Sequence, residues 1–350
     1  MKQIRSVKQV ICGFAVAVAL AGCGGESSGT STLEAHPNAP SRGDRRPTWI
    51  SPDARKERKL LFVSDFPTAS VVIFALPKLR LVGRITGFSS PQGLCADHAG
   101  NVWVADPDTR MVSEYSHSGA LLNRIRDEYG SPISCAINPR TGELTVLDFA
   151  AFEGPPLRRS VPRGWAPIQV FACPVCAPTV KVVPGMDEIY FGDYDKRGDL
   201  YVDGFDTSRA VQLGTVQWGH NTGYELTLSG GKINSPAMVQ WYGPGHYLIV
   251  GDTECNGKRS TCIDQVSVSG KLARITGQTN FQTAEGAPLC EMVQGVLDPR
   301  AEKTLLGGNY AACNGTSNGV YRWRYPAGGL PIRSTESGLQ GPVGSALSVK

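Results

Sequence analysis

The stretch Pro91–Gly119, PQGLCADHAGNVWVADPDTRMVSEYSHSG, sets three short apolar runs, LCA, VWVAD and MVSEY, between turn-forming residues. The runs are rich in β-branched and aromatic side chains and too short for helices, so they read as strands. The same texture extends from Leu60 onward, with no long stretch of helical periodicity. One element recurs: an apolar run ending in a small residue and an acid or amide. Its copies are LFVSD ending at Asp65, VWVAD at Asp106, LTVLD at Asp148, LYVDG at Gly204, LIVGD at Asp252 and LLGGN at Asn309. An acid at the same place in repeat after repeat points to a structural task, accepting backbone N–H groups in the turn that follows.

Each copy after the first has a run before it, and each copy has two runs after it, which makes a repeat of four strands pairing with their sequence neighbours. That is the pattern of a β-propeller blade. Over Pro91–Gly119 the match becomes specific. The stretch resembles an NHL repeat, whose pattern runs Pro-x-Gly, three apolar residues, Asp-x-x-Gly-Asn, an apolar strand ending Val-Ala-Asp, an aromatic strand and Ser-Gly. NPRTGELTVLD and KRGDLYVDG are weaker relatives. The resemblance implies an all-β fold, a six-bladed β-propeller over residues 56–350. Five blades begin near Ser90 and end near Tyr129, Val183, Gly231, Thr283 and Gly338. KLLFVSDF, SVVIFALP and RLVGRITGF supply three strands of a sixth blade, and GPVGSALSVK, residues 341–350, its missing innermost strand. Related propellers include lactonases, a peptide-amidating lyase and pure binding modules, so the fold alone does not select an activity.

The amino end carries Lys2, Arg5 and Lys8 before the uncharged run Gln9–Gly22, too short for a comfortable membrane span but suited to a secretory signal. It closes on LAGC, Leu20–Cys23, which resembles the lipobox of bacterial lipoproteins. The resemblance implies a signal peptide over 1–22 and a lipid on Cys23. It also implies a cell-envelope location, with the outer membrane favoured where there are two, because Gly24 is not the Asp of an inner-membrane retention signal. Removing three cations takes the formal charge from +4 to +1, which excludes the basic footprint of a nucleic-acid binder. Residues 23–55, rich in Gly, Ser and Pro, read as a flexible tether.

Of ten cysteines, eight remain beyond Cys23, an even number that suits disulfides in an exported chain. Eight cysteines allow 105 pairings in principle. Within the implied blade layout, Cys95 and Cys135 sit on neighbouring inner strands with opposite parity and pair. Cys255 pairs with Cys262 across a polar loop, Cys290 with Cys313 on one rim, and Cys173 with Cys176. The CPVC motif at Cys173–Cys176 lies between strand-like flanks, lacks a following His and has no second ligand pair nearby, so it reads as a structural hairpin bridge.

Histidines 36, 98, 117, 220 and 246 show no metal-ligand spacing and read as surface or turn residues. Lactonase-like propellers hold calcium in the channel with Glu, Asn and Asp. Here the corresponding positions are Gln92, Ile133, Ala237, Leu289 and Val343, so no cofactor is expected, with Asp187, Glu188, Asp193 and Glu291 the weak candidates for calcium. Loops between the second and third strands are long in three blades, which marks that rim as a binding surface. Arg158, Arg159, Arg163 and Trp165 in one loop and Tyr310 in another are of types enriched at interface hot spots. The function expected is a lipid-anchored binding or scaffolding module for a protein or glycan ligand. The alternative is a channel-sited, calcium-dependent hydrolase or a lyase.

Overall fold

The structure is a computed structural model that describes residues 47–151, 161–162, 164–298, 303–310 and 318–350. Strands β1 (Trp49–Ile50), β2 (Lys59–Asp65), β3 (Ser70–Ala75) and β4 (Arg80–Thr86) come first. They are followed by β5 (Leu94–Ala96), β6 (Val102–Asp106), β7 (Met111–Tyr115) and β8 (Leu121–Arg126). Next come β9 (Gly130–Ile137), β10 (Leu144–Ala151), β11 (Ile168–Phe171) and β12 (Thr179–Lys181). Then β13 (Met186–Tyr194), β14 (Leu200–Asp206), β15 (Val211–Val216) and β16 (Tyr224–Ser229) precede β17 (Pro236–Tyr242), β18 (Tyr247–Asp252), β19 (Cys262–Ser269) and β20 (Leu272–Asn280). The last are β21 (Gly295–Asp298), β22 (Thr304–Asn309), β23 (Gly319–Arg324), β24 (Arg333–Thr335) and β25 (Pro342–Val349).

From β5 to β24 these strands form consecutive antiparallel meanders, and β13–β16 and β17–β20 merge into one eight-stranded sheet because their outer strands β16 and β20 pair in parallel. The first sheet is different. Its order is β1-β4-β3-β2-β25, so the carboxy-terminal strand pairs with β2, with Leu61 opposite Leu347 and Phe62 opposite Ala346. Strand β1 falls in the segment expected to be tether. Trp49 and Ile50 pair with Arg84 and Gly83 of β4, and Ala54 beyond them is fully buried.

The apolar core is divided among the contacts between neighbouring sheets. Leu60 and Phe62 of β2 face Val102 and Val104 of β6, whereas Leu61 and Val63, on the other face, meet Leu306 of β22. All four are completely buried, which is why the run reads as continuously apolar rather than alternating. Equivalent layers join β6 to β10, β10 to β14, β14 to β18 and β18 to β22.

The innermost strands are tied edge to edge around a central channel. Ser64 Oγ of β2, which accepts from Gly344 N of β25 at 2.7 Å, donates to Gln92 O at 2.6 Å; Gly93 N donates to Ile133 O at 2.9 Å and Ser134 Oγ to Tyr190 O at 2.6 Å. Trp241 N donates to Asp193 Oδ2 at 2.9 Å, Met238 N to Val293 O at 2.9 Å and Gln294 N to Val343 O at 3.1 Å. Gln294 also clasps the seam: its Oε1 accepts from Leu94 N at 2.9 Å and Ser345 N at 3.3 Å, and its Nε2 donates to Leu94 O at 2.8 Å. A side chain at Gly93 would put its Cβ 2.4 Å from that of Ser134, so this close approach requires glycine.

Cys95 and Cys135 are bonded across two neighbouring sheets with Cα atoms 5.5 Å apart, Cys255 is bonded to Cys262, and Cys173 to Cys176. Cys290 is disulfide-bonded, and Cys313 lies outside the described residues. His117 is not a surface residue. It is 3% exposed, with Nδ1 2.7 Å from Ser348 Oγ on β25 and Nε2 2.8 Å from Glu57 O.

Because β25 contributes to two apolar layers and to the seam, deleting residues 341–350 is expected to replace a single cooperative melting transition by a broad one or by aggregation. An unchanged melting curve would contradict closure through β25.

Candidate functional site

The innermost strands β5, β9, β13, β17, β21 and β25 run the same way along the channel, so one end holds their starts and the other their finishes. Each second strand runs back, which returns its terminal acid or amide to the starting end. There the repeated residue performs one task. Asp106 accepts from Ser89 N and Ser90 N at 2.9 Å each. Asp252 accepts from Asn234 N and Ser235 N at 3.1 Å, Asn309 Oδ1 from Cys290 N at 3.2 Å and Glu291 N at 3.1 Å, and Asp65 Oδ1 from Gly341 N at 2.6 Å and Gln340 N at 3.1 Å. The role is structural, but the N–H groups come chiefly from the segment leading into the same sheet's innermost strand, not from the following turn. Asp252 adds such a bond as well, from Glu254 N at 2.8 Å.

Asp148 departs from this pattern. The corresponding N–H groups of Tyr129 and Gly130 go to Asp127 Oδ1 at 2.7 and 2.8 Å, and Asp148 Oδ2 accepts from Gln169 Nε2 at 2.7 Å. Asp148 Oδ1 and Asp127 Oδ2 are both buried without a donor. Burial, and then the charge of Asp127, hold the Asp148 carboxyl well above the ordinary carboxylate range. A proton on Asp148 would supply the bond that both oxygens lack.

Directly after the clamp position, four sheets carry an aromatic: Phe66, Phe149, Phe205 and Tyr310. All four are half-buried against one apolar cluster that also includes Ile133, Tyr190 and Val343 from the starts of innermost strands. Tyr190 meets Phe149 edge-on at 5.4 Å and Phe205 at 5.7 Å, and the Arg209 guanidinium lies 4.2 Å over the Phe205 ring. Glu188 accepts from Tyr190 Oη at 3.1 Å and pairs with Arg209, and Glu291 lies 3.4 Å from Arg259. Burial raises the Glu291 carboxyl, with Arg259 working against it. Trp165 is half-buried, and Arg158, Arg159 and Arg163 lie outside the described residues. The recurring aromatic was visible in the sequence as DF, DF, GF and NY after the apolar runs, but only Tyr310 stood out there.

At the finishing end lies a cavity of about 400 Å³ lined by all six innermost strands, among them Asp97, Asp193, Gln240, Gln294, Asp298 and Ser345. Most of its polar groups bond between strands: Gln240 Oε1 accepts from Leu297 N at 2.9 Å, and Asp193 accepts from Tyr194 N at 2.8 Å as well as from Trp241 N. Asp193 lines this space, and desolvation pushes its carboxyl up to about 6. Asp187 and Glu188 are therefore at one end of the channel and Asp193 at the other. Among the described residues, Asp187, Glu188, Asp193 and Glu291 do not bring three ligand atoms together. The group that does, Asp252, Cys262 and Asp264, has its sulfur committed to the Cys255 bridge.

Four-stranded meanders tied edge to edge around a channel, and closed by pairing the last strand with the first sheet, define an all-β propeller. No family model matches the chain. Over 104 residues it is 30% identical to human NHL-repeat-containing protein 4, an alignment spanning 29% of this chain and 82% of that protein. The chain belongs to the NHL-repeat-containing proteins. Among solved structures it is similar to a protein of unknown function from Bacteroides caccae, with 14% identity and a TM-score of 0.61 over 84% of this chain and 100% of that one. It is also similar to a chain of a nidogen/laminin complex, with 12% identity and a TM-score of 0.60 over 83% and 98%. A functionally unknown protein from Desulfotomaculum acetoxidans gives 10% identity and a TM-score of 0.53 over 83% and 99%.

Two stability measurements follow from the clamps. Asp106→Ala is expected to cost about 2–4 kcal/mol by leaving two N–H groups unpaired, and Asp106→Asn less, since Asn309 serves in that role. For Asp148 the folded pKa lies above the unfolded one, so its contribution is complete below about pH 4 and is lost as pH rises through the folded value. Asp148→Asn, whose amide can donate to Asp127, is thus expected to raise stability at pH 7 and to flatten its pH dependence in chemical denaturation. A variant less stable at pH 7 than at pH 4 by the wild-type margin would contradict the shared proton.

Proposed function

We propose that the chain is a six-bladed propeller, the eight-stranded sheet counting as two blades. On this reading it is anchored through lipid on Cys23 outside a bacterial membrane, the outer one where there are two, and serves as a binding or scaffolding module for a protein or glycan. The observation that carries the binding reading is the set Phe66, Phe149, Phe205 and Tyr310, which four blades present at one position on the rim where the long loops emerge. Half-buried aromatics beside the ion pairs Arg209–Glu188 and Arg259–Glu291 give an apolar surface with polar edges, the composition of recognition surfaces. The channel gives the hydrolase reading little support, because among the described residues its acids do not converge on one point. The anchor rests on the LAGC motif.

In whole cells, a photo-crosslinking residue at Phe66 or Tyr310 is expected to yield a discrete adduct, and one at exposed Asn123 on β8 none. Cys23→Ser is expected to move the protein from the membrane to the soluble fraction. Adducts from Asn123 alone would overturn the rim, and a Cys23→Ser protein that stays in the membrane would overturn the anchor. Calcium-dependent lactone hydrolysis would favour the alternative.

A further inference from the structure

The cavity at the finishing end of the channel has a use for which the rim is not needed. Its volume of about 400 Å³ falls within the range of small-ligand pockets. Acids come from the ends of three alternate innermost strands: Asp97 after β5, Asp193 in β13 and Asp298 at the end of β21. Asp298 is balanced by Lys59, at 2.5 Å. Asp97 is bonded to Asn101 N at 2.8 Å and Asn101 Nδ2 at 2.9 Å, and Asp193 to two backbone N–H groups. Both carboxylates thus receive only amide donors. A carboxylate has about four lone-pair sites, so two on each remain for a ligand.

A second observation comes from β25. Ser345 is 2% exposed, lines the cavity, and its Oγ has no hydrogen-bond partner. Buried hydroxyls without partners are uncommon, and this one borders open space that a ligand could fill. The chemistry of that ligand follows from charge and spacing. Two uncompensated carboxylates and a hydroxyl oxygen select a cation bearing several N–H donors. The acids do not place three oxygens within ligand distance of one another, which disfavours a bare metal ion and favours an extended cation whose charges are spread along a chain.

We propose that this cavity binds a linear organic polyamine, held by Asp97, Asp193 and Ser345 of its lining. Desolvation of Asp193 agrees with a carboxylate that lacks a counter-charge. The site lies at the opposite end of the channel from the aromatic rim, so the two stand or fall separately.

The test is calorimetric titration of the full chain with spermidine, with triethylene glycol as a neutral probe of similar length and calcium as the metal control. Saturable one-to-one binding of spermidine alone is expected. Asp193→Asn should weaken it about tenfold, as should His98→Arg, which adds a charge at an exposed position of the cavity lining. Ser345→Ala should weaken it less, and Glu128→Gln, exposed and outside the cavity lining, not at all. Melting curves establish that each variant is folded, and His98→Arg carries the test if Asp193→Asn does not fold. No saturable heat from spermidine at millimolar concentration, equal binding of triethylene glycol, tighter binding of calcium, or indifference to His98→Arg would each overturn the proposal.

Discussion

The pairing of β25 with β2 is the constraint on which the rest of the molecule depends. Every apolar layer lies between two neighbouring sheets, so an open stack would leave one face of its first and last sheets in water. Leu61 and Val63 of the first sheet and Leu306 of the last meet only because β25, Gln294 and Leu94 hold the two ends of the chain together. Bringing distant segments into contact is inexpensive, since each doubling of loop length costs only about 0.6 kcal/mol. A fully buried layer and the removal of two sheet edges more than offset that.

Within the closed ring, the clamps of Asp65, Asp106, Asp252 and Asn309 fix where four innermost strands begin. At the starting end four sheets place an aromatic side chain directly after this position. At the finishing end the strands arrive in register around one cavity. The repeats supply a rigid frame, and the departures from repetition supply chemistry: Phe and Tyr at one end, unevenly placed acids at the other. Asp148 shows the cost of departure, a carboxyl held well above the ordinary carboxylate range by burial and then by the charge of Asp127, which has taken over its clamp.

The four-strand repeat was legible because each second strand ends in a small residue and an acid or amide, a pattern that survives when the rest of a repeat diverges. The Cys95–Cys135 bridge was legible from strand parity, since opposite faces of neighbouring sheets must meet. Other features were not. Trp49 and Ile50 form too short a strand to stand out from the Pro-rich segment around them. His117 gives no local sign of burial, because what covers it is Ser348, 231 residues away on the closing strand. The Asp127–Asp148 pair and the polyamine-sized cavity likewise depend on which faces meet across sheets, and a single sequence carries no signal for that. The clamp residue was recognised as structural, but its partners lie 16 and 17 residues upstream for Asp106 and on the closing segment at Gln340 and Gly341 for Asp65, beyond the reach of turn rules.

The most direct measurement of closure is native-state hydrogen exchange of the β25 backbone amides against those of β2 and β6. If the ring closes through β25, the amides of Ala346 and Leu347 exchange only by global unfolding, with the same opening free energy and denaturant dependence as those of Phe62 and Val104. Rapid exchange of β25 at a denaturant concentration where β2 and β6 stay protected would show that the carboxy-terminal strand opens on its own, and would contradict its role as the element that closes the fold.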